Sequence, residues 1–258
     1  MKRLLNLFLL SCCLFTLVSC DMFKIDNYEA PNASIFGKMK DSVTGEAVET
    51  DIQNGTAIRA FELGWIENPT SRTWVVKQNG EYRNDMVFAG RYDLEIINGN
   101  VFPITGDNII KDFEIRKGDN HYDFTVTPYI RIKNTNIQKN ENVITATFNL
   151  EAGDSSVKLS SINLYAFTDI YVGEFVKFDL ADPDKEPDAS WIPSYSKTFD
   201  TSIDISSATT YTLTIDVSEY TKYFKYKRNY YLRVGALADV SGVGTIRYNY
   251  APYVVINF

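Results

Sequence analysis

The residues that usually carry enzyme chemistry are scarce in this sequence. It has one histidine, His121, and three cysteines, Cys12, Cys13 and Cys20, which all fall within the first twenty residues. A single imidazole excludes a metal site built from several histidines of one chain, and the cysteine positions exclude a zinc cluster or a C-x-x-C redox pair. No G-x-S-x-G segment is present to supply the serine of a hydrolase elbow. The sequence therefore predicts no metal and no cofactor.

His121 belongs to a stretch in which side chains alternate between two faces. Tyr122, Phe124 and Val126 fall on one face, so His121 and Asp123 fall on the other, which we expect to face water. A glycosidase needs only two carboxylates at a defined separation. With 33 acidic residues many pairs are available, and the sequence does not give the distance between any two of them. We therefore expect a protein that is not an enzyme. The net charge of −7 also argues against nucleic acid as a partner.

A long segment in the second half, residues 169–196, combines aromatic with acidic residues. Connections longer than ~12–15 residues are uncommon and usually have a function or act as linkers. Aromatic rings there would stack on the apolar faces of sugars, while carboxylates would accept hydrogen bonds from hydroxyl groups. The alternative is a loop that packs its rings over the end of a sandwich. Another tryptophan falls on a predicted loop at 63–69, and the candidate ligand-binding residues are Trp191, Tyr195, Tyr171 and Trp65.

The same segment carries an acidic residue at every second position from Asp182 to Asp188. This spacing is typical of a calcium loop, but the turn glycine and the distal glutamate of an EF-hand are missing, and two prolines stiffen the run. A solvated acidic loop is the favoured interpretation, and a calcium site the alternative.

The N-terminus has the plan of a secretory signal, with a basic start, an apolar run over 4–18 and a small-residue ending. The run is shorter than the ~20 residues that cross a bilayer. Leu17-Val18-Ser19-Cys20 resembles the bacterial lipobox. This implies that residues 1–19 are a removable signal peptide, that Cys20 is lipidated, and that residues 20–27 form the anchor and tether. We expect a chain anchored to a membrane rather than crossing it.

The elements that position these residues are predicted to be strands. Tyr and Phe contribute 17 and 16 residues, and apolar residues alternate with polar ones at a period of two. In 143–150, for example, Ile144, Ala146, Phe148 and Leu150 share one face. We find no stretch of ten or more residues with a convincing helical stripe. The expected fold class is all-β, made of two antiparallel β-sandwiches.

The first block, residues 28–128, contains a strand at 35–39, an Asp-x-x-Thr-Gly-Glu turn at 41–46 and an Asn-Gly hairpin at 78–80. An Ala-Gly-x-Tyr sequence at 89–92 then opens another strand. This order resembles the carboxypeptidase-regulatory, transthyretin-like β-sandwich. In that arrangement Asp41 and Thr44 cap the turn, and the glycines supply positive φ.

The second block, residues 129–258, predicts seven short strands, at 129–133, 143–150, 161–167, 197–203, 211–217, 230–236 and 245–250. Seven strands in about 130 residues are typical of an immunoglobulin-like sandwich. The sequence from Tyr230 to Thr245 resembles the last two strands of a fibronectin type III domain, with Tyr230 at the tyrosine-corner position.

Taken together, the lipobox, the tether, Asp26-Asn27-Tyr28-Glu29-Ala30-Pro31, the transthyretin-like block and the tyrosine-rich second block resemble the DUF3823 family of Bacteroidetes lipoproteins. The resemblance implies a setting beside SusC/SusD-like outer-membrane glycan importers, at the outer membrane and on the cell surface. It implies no reaction and carries no catalytic or binding residues. Two interpretations stay open. One is an accessory glycan-binding lipoprotein of a polysaccharide uptake system, and the other is an envelope scaffold that contacts proteins and binds no sugar.

Overall fold

A computed structural model describes residues 29–181 and 193–258 of the chain. The described residues form an all-β structure without an α-helix, as predicted, and include a short 3₁₀ turn at Gly106–Asn108. The signal segment 1–19, Cys20, the tether, the acidic run 182–188 and Trp191 lie outside the described residues. No described segment is a helix that is both long enough and apolar enough to span a bilayer.

The first domain contains eight strands in two sheets. They are β1 (Ala33–Asp41), β2 (Ala57–Glu62), β3 (Ser71–Val75), β4 (Glu81–Val87), β5 (Gly90–Ile97), β6 (Ile110–Ile115), β7 (Gly118–His121) and β8 (Phe124–Val126). One sheet has the order β4-β1-β7, with β8 also pairing β1, and the other has the order β3-β2-β5-β6. The pairings are antiparallel except those of β1 with β7 and β8, which are parallel.

The predicted turns at 41–46 and 78–80 are confirmed by their hydrogen bonds, whereas Gly90 of the Ala-Gly-x-Tyr sequence does not have the predicted positive φ. The Asp41 carboxylate accepts from the Val43 amide at 3.0 Å and from the Thr44 hydroxyl at 3.2 Å. At the Asn-Gly hairpin, Gly80 has φ of 77° and its amide donates to the Lys77 carbonyl at 2.9 Å. A residue with Cβ is strained at that φ, so this hairpin position requires glycine. Trp74 of β3 is buried in the core of this domain.

The second domain also contains eight strands. They are β9 (Ile130–Asn140), β10 (Val143–Ala152), β11 (Lys158–Phe167), β12 (Ser196–Asp204), β13 (Thr210–Asp216), β14 (Asn229–Asp239), β15 (Asn249–Tyr250) and β16 (Val254–Asn257). They form a three-stranded sheet, β13-β10-β9, and a five-stranded sheet, β12-β11-β14-β15, in which β16 also pairs β14. Six of the seven predicted strands lie close to the observed ones. The last is shorter than predicted, and β16 was not predicted.

Each domain has its own core between its two sheets. In the second domain the inward residues of β10 and β14, among them Phe148 and Tyr230, are fully buried. The Tyr230 hydroxyl donates to the Tyr226 carbonyl at 2.9 Å, which is the geometry of a tyrosine corner. In the first domain Tyr92 makes the same contact with the Phe88 carbonyl at 2.8 Å. Both sandwiches therefore fix a chain corner with a buried tyrosine.

Candidate functional site

The outer face of the five-stranded sheet is unusually aromatic. In β11 the side chains of Leu164 and Ala166 enter the core, so Tyr165 and Phe167 point to the opposite face. An exposed sheet face normally carries polar residues at these positions. Apolar residues on both faces of one strand indicate that the outer face is also covered or binds a ligand.

Three tyrosines converge on Gly235 of β14, and we call Tyr165, Tyr248 and Tyr250 the tyrosine cluster. A Cβ atom at position 235 would lie 2.7 Å from the Tyr165 ring, 3.2 Å from the Tyr250 ring and 3.3 Å from the Tyr248 ring. The ring centroids are 5.8 to 6.2 Å apart. Gly235 therefore makes the space in which the three rings contact one another.

Each hydroxyl of the tyrosine cluster has a polar partner. Tyr165 donates to Glu174 Oε2 at 2.5 Å. Tyr250 donates to Asp51 Oδ2 at 2.6 Å. The Tyr248 hydroxyl accepts from Asn163 Nδ2 at 2.9 Å. Burial, reinforced by nearby charges, raises the pKa of Tyr165 and Tyr250 well above the ordinary value, so both remain neutral hydrogen-bond donors.

A hollow of about 230 Å³ opens beside β11, next to the tyrosine cluster. We call it the β11 hollow, and its polar and aromatic lining includes Asn163, Tyr165, Lys177, Asp179, Tyr195 and Ser196. Lys177 Nζ lies 5.3 Å from the centre of the Tyr165 ring and 2.9 Å from Glu174 Oε1. The lining of the hollow thus combines aromatic residues with residues that carry an amide, an amine and a carboxylate.

The segment that leads from β11 to the hollow also carries exposed rings. Tyr171 and Phe175 are both exposed, and Arg247 places its guanidinium 5.6 Å from the centre of the Phe175 ring. The amide of Tyr171 donates to Asp169 Oδ1 at 3.2 Å. These contacts fix a turn that presents apolar rings to solvent beside the domain boundary.

The first domain covers the other part of this sheet face through a buried arginine. Arg233 of β14 has no exposed surface, and its guanidinium donates to Glu49 Oε2 at 2.6 Å. It also donates to four backbone carbonyls, those of Thr50, Gln78, Val172 and Ala251. The Tyr250 ring lies 4.1 Å from the guanidinium carbon. Burial outweighs the mutual attraction of the pair, raising the pKa of Glu49 and lowering that of Arg233.

Two more contacts complete this boundary, which we call the domain junction. Arg131 of β9 donates to both oxygens of Asp41, at 2.5 and 2.7 Å. Burial opposes ionisation of Asp41, but the hydrogen bonds from Arg131 and Val43 outweigh it and hold the pKa of Asp41 below its usual value. The buried side chain of Asn249 accepts from the Ile130 amide and donates to the Asn100 carbonyl. The domain junction is therefore polar, buried and fully hydrogen-bonded at these groups.

The structure separates the residues predicted to bind a ligand. Tyr195 lines the β11 hollow and packs against the core, and Tyr171 lies in the neighbouring segment. Trp65 is on a loop, as predicted, but beyond the far end of β2, whose near end lies at the domain junction. Six residues of strand, about 20 Å, separate it from that junction. Whether these residues bind a ligand stays a prediction, and Trp191 lies outside the described residues.

Sequence reasoning missed the tyrosine cluster. The signal was available in Leu164-Tyr165-Ala166-Phe167, where apolar residues occupy both faces, and in Tyr248-Asn249-Tyr250, where two tyrosines share one face. The prediction for His121 is confirmed, because its side chain is 59% exposed beside Asp123. Among the residues the structure describes, no group of three or more histidine, cysteine or acidic side chains is placed to hold a metal ion.

Two family models match the chain. The model of the DUF3823 N-terminal domain, a protein of unknown function, matches residues 33–127. The model of DUF3823_C, a domain of unknown function, matches residues 130–254. No curated protein gives a significant match.

Solved structures similar to this chain come from the Bacteroidetes genera Bacteroides and Parabacteroides. A candidate carbohydrate-binding protein from Bacteroides uniformis ATCC 8492 is 49% identical, with a TM-score of 0.79, over 88% of this chain and 100% of that one. A DUF3823 family protein from Bacteroides ovatus ATCC 8483 is 21% identical, with a TM-score of 0.65, over 87% of this chain and 98% of that one. One from Parabacteroides merdae ATCC 43184 is 19% identical, with a TM-score of 0.65, over 89% and 100%. The last two show the fold alone.

Proposed function

The chain belongs to the DUF3823 family, and from this premise we propose that it is a cell-envelope lipoprotein that binds a glycan and catalyses no reaction. The observation that carries the proposal is the β11 hollow, where aromatic rings and mixed polar groups meet. The relative from Bacteroides uniformis, similar over the whole of that chain and itself a candidate carbohydrate-binding protein, supports the same assignment.

The hollow suits a sugar because a sugar ring has apolar C–H faces and hydroxyl edges. Half-buried Tyr195 offers some apolar surface, the buried Tyr165 side chain forms part of the wall, and Asn163, Lys177 and Asp179 offer both donors and acceptors. One aromatic stack is worth on the order of 1 kcal/mol, whereas about 4 kcal/mol corresponds to a Kd of 1 mM. We therefore expect weak binding per site, strengthened by avidity when many copies on one surface meet a polysaccharide.

In the proposed setting, Cys20 carries acyl chains that hold the protein at the outer membrane, facing the cell surface. The partners in this proposal are the membrane, a polysaccharide and SusC/SusD-like outer-membrane proteins that import it. The sequence of the N-terminus and the family resemblance support this placement. A protein in this position would hold a glycan near an importer without changing the glycan chemically.

Affinity electrophoresis against a panel of plant and host glycans tests the proposal. We expect at least one glycan to retard the wild-type chain, and Lys177→Ala with Asp179→Ala to weaken that retardation. Two lost hydrogen bonds at about 1 kcal/mol each correspond to a decrease in affinity of more than tenfold. These side chains are chosen because both lie at the hollow and neither belongs to the hydrophobic core.

Lys158→Ala with Asp204→Ala is the matched control, because these residues form an exposed ion pair at the opposite end of β11. It should leave retardation unchanged. If the Lys177→Ala, Asp179→Ala variant is retarded as strongly as the wild type, the sugar binds at another place on the protein. If no glycan retards the wild type, the envelope scaffold becomes the better interpretation.

A further inference from the structure

The end of the first domain that is remote from the second domain exposes apolar side chains. Trp65 and Ile66 in the connection between β2 and β3 are each 60% exposed, and Met86 near the end of β4 is 72% exposed. We call this end the tip, and it comprises the connections at 63–70, 88–89 and 116–117 together with residues 29–32. Adjacent exposed apolar residues of this size are usual at surfaces that bind a partner or a membrane.

The chain enters the first domain at the tip, as the hydrogen bonds of Asn32 demonstrate. Its amide donates to the Val87 carbonyl at 3.2 Å, and its side-chain oxygen accepts from the Ala89 amide at 2.9 Å. Its carbonyl accepts from the Gly118 amide at 2.9 Å. From there β1 runs away from the tip and ends at Asp41, in the domain junction.

The loop with Trp65 belongs to the same end. The Leu63 amide donates to the Arg91 carbonyl at 2.8 Å, just after the turn that Asn32 binds. The Trp65 indole donates to Glu62 Oε1 at 2.8 Å, which ties the ring to the end of β2. The ring is thus held at the surface by a local contact, next to Ile66 and beside the entry of the chain.

The length of the chain before the tip limits how far the tip can be from the anchor. Nine residue steps separate Cys20 from Glu29, and a fully extended chain spans at most ~3.3–3.6 Å per residue, or about 30 Å. The nine residues of β1 add about another 30 Å between the tip and the domain junction. The tip is therefore held within about 30 Å of Cys20, whereas the domain junction can lie up to about 60 Å from it.

We propose that Trp65 and Ile66 insert into the headgroup region of the bilayer to which Cys20 is anchored. The inference rests on the anchoring in the proposed function, and it reassigns Trp65 from sugar to lipid. Tryptophan is favoured at the membrane–water interface, where its ring is partly apolar and partly polar. Lys117, on an adjacent connection of the tip, suits a lipid phosphate, whereas its neighbour Arg116 pairs with Glu114 at 3.1 Å. With this second contact the protein stands on the membrane in one orientation.

Tryptophan fluorescence quenching in proteoliposomes tests this contact. The mature chain is reconstituted into vesicles of phosphatidylethanolamine and phosphatidylglycerol that carry a spin label near the headgroups. We expect emission to be quenched in the wild type and the quenched component to disappear in Trp65→Phe. Replacing Ile66 with serine should reduce quenching of Trp65, since it removes the neighbouring apolar side chain.

Val43 provides the matched control, because it is apolar and 70% exposed but lies next to Asp41 at the opposite end of β1. A tryptophan placed there, as Val43→Trp in the Trp65→Phe background, should not be quenched. Equal quenching at both ends, or none at Trp65, would overturn the proposal. So would a change in Trp65 emission on adding soluble glycan without lipid.

Acylation of Cys20 is measured on the same sample by mass spectrometry, so a failure of the anchor is recognised separately. A chain without acyl chains is coupled to maleimide-bearing lipid through Cys20, the one cysteine beyond residue 19. Quenching is then read as before. No glycan is present when lipid quenching is measured, so a failure of glycan binding and a failure of the tip contact are distinguishable.

Discussion

At the domain junction, Glu49 and Asp51 of the first domain bind Arg233 and Tyr250 of the second; Asp51 is buried and Glu49 is mostly buried. At the tip, Trp65 and Ile66 stand in solvent. One end of the same sandwich thus buries charge while the other exposes apolar surface, which reverses the usual arrangement. The reversal indicates that neither end is shaped by the stability of the sandwich alone.

The domain junction restricts how the two domains are oriented relative to each other. A buried ion pair adds little stability compared with apolar packing of the same volume, but its many directed hydrogen bonds admit few alternative arrangements. Arg233 satisfies five acceptors from both domains, so a rotation of one domain against the other would break several bonds together. The junction should therefore behave as a rigid connection between the tip and the β11 hollow.

The largest effect is expected from Arg233→Met. It removes the cationic partner of Glu49 and one donor from each of four carbonyls, and breaking a buried pair in this way costs about 3–5 kcal/mol. Urea denaturation should show that loss in the free energy of unfolding, and calorimetry should separate one transition into two as the domains uncouple. The control is Arg91→Met, whose ion pair with Asp112 is exposed and contributes at most about 1 kcal/mol. Equal losses in the two variants would contradict a special role for the junction.

Asp41→Asn should give a smaller loss, about 2–3 kcal/mol, because Arg131 keeps a second carboxylate, Glu151, at 3.5 Å. The pKa of Asp41 lies below its usual 3.8, so its contribution is present above about pH 4 and is lost as the pH falls through the folded-state pKa. The free energy of unfolding of the wild type should therefore fall between about pH 4 and pH 2, and less steeply in Asp41→Asn. Identical pH profiles would show that the carboxylate is not stabilised by Arg131.

The smallest effect is expected at the tip. Trp65→Ser with Ile66→Ser removes side chains that are mostly in solvent, and such changes usually alter the free energy of unfolding by no more than about 0.5 kcal/mol. Chemical denaturation in the absence of lipid measures it. A loss comparable to that of Arg233→Met would mean that the tip residues stabilise the fold, and the contrast between the two ends would disappear.

Sequence reasoning succeeded where structure depends on near neighbours. Strands such as β10 and β13 follow from alternation, the turns from Asp41, Thr44 and Gly80, and the corner from Tyr230, since each signal lies within a few residues. In β14, Arg233 lies on the face opposite the inward Leu232 and Val234. Alternation does not reveal that another domain covers that face, because the partner carboxylate of Glu49 is 184 residues away.

The candidate site was predictable in part for the same reason. Tyr195 and Tyr171 are predicted to bind a ligand because they occupy a long aromatic connection. The structure places Tyr195 at the β11 hollow. Tyr165 and Tyr248 fall in two separate predicted strands, and the sequence does not show that their rings meet. Their contact depends on the space above Gly235, which only the pairing of β14 with β11 and β15 creates.

The central position of β1 also determines how the molecule carries mechanical load. This strand is bonded on one edge to β4 and on the other to β7 and β8, and it is the first strand after the tether. A pull through the anchor, directed along β1, would stretch the hydrogen bonds of both edges at once instead of opening them one after another. An edge strand would peel away at far lower force. In the proposed function such a pull arises whenever the bound polymer is dragged, and the position of β1 within its sheet resists it.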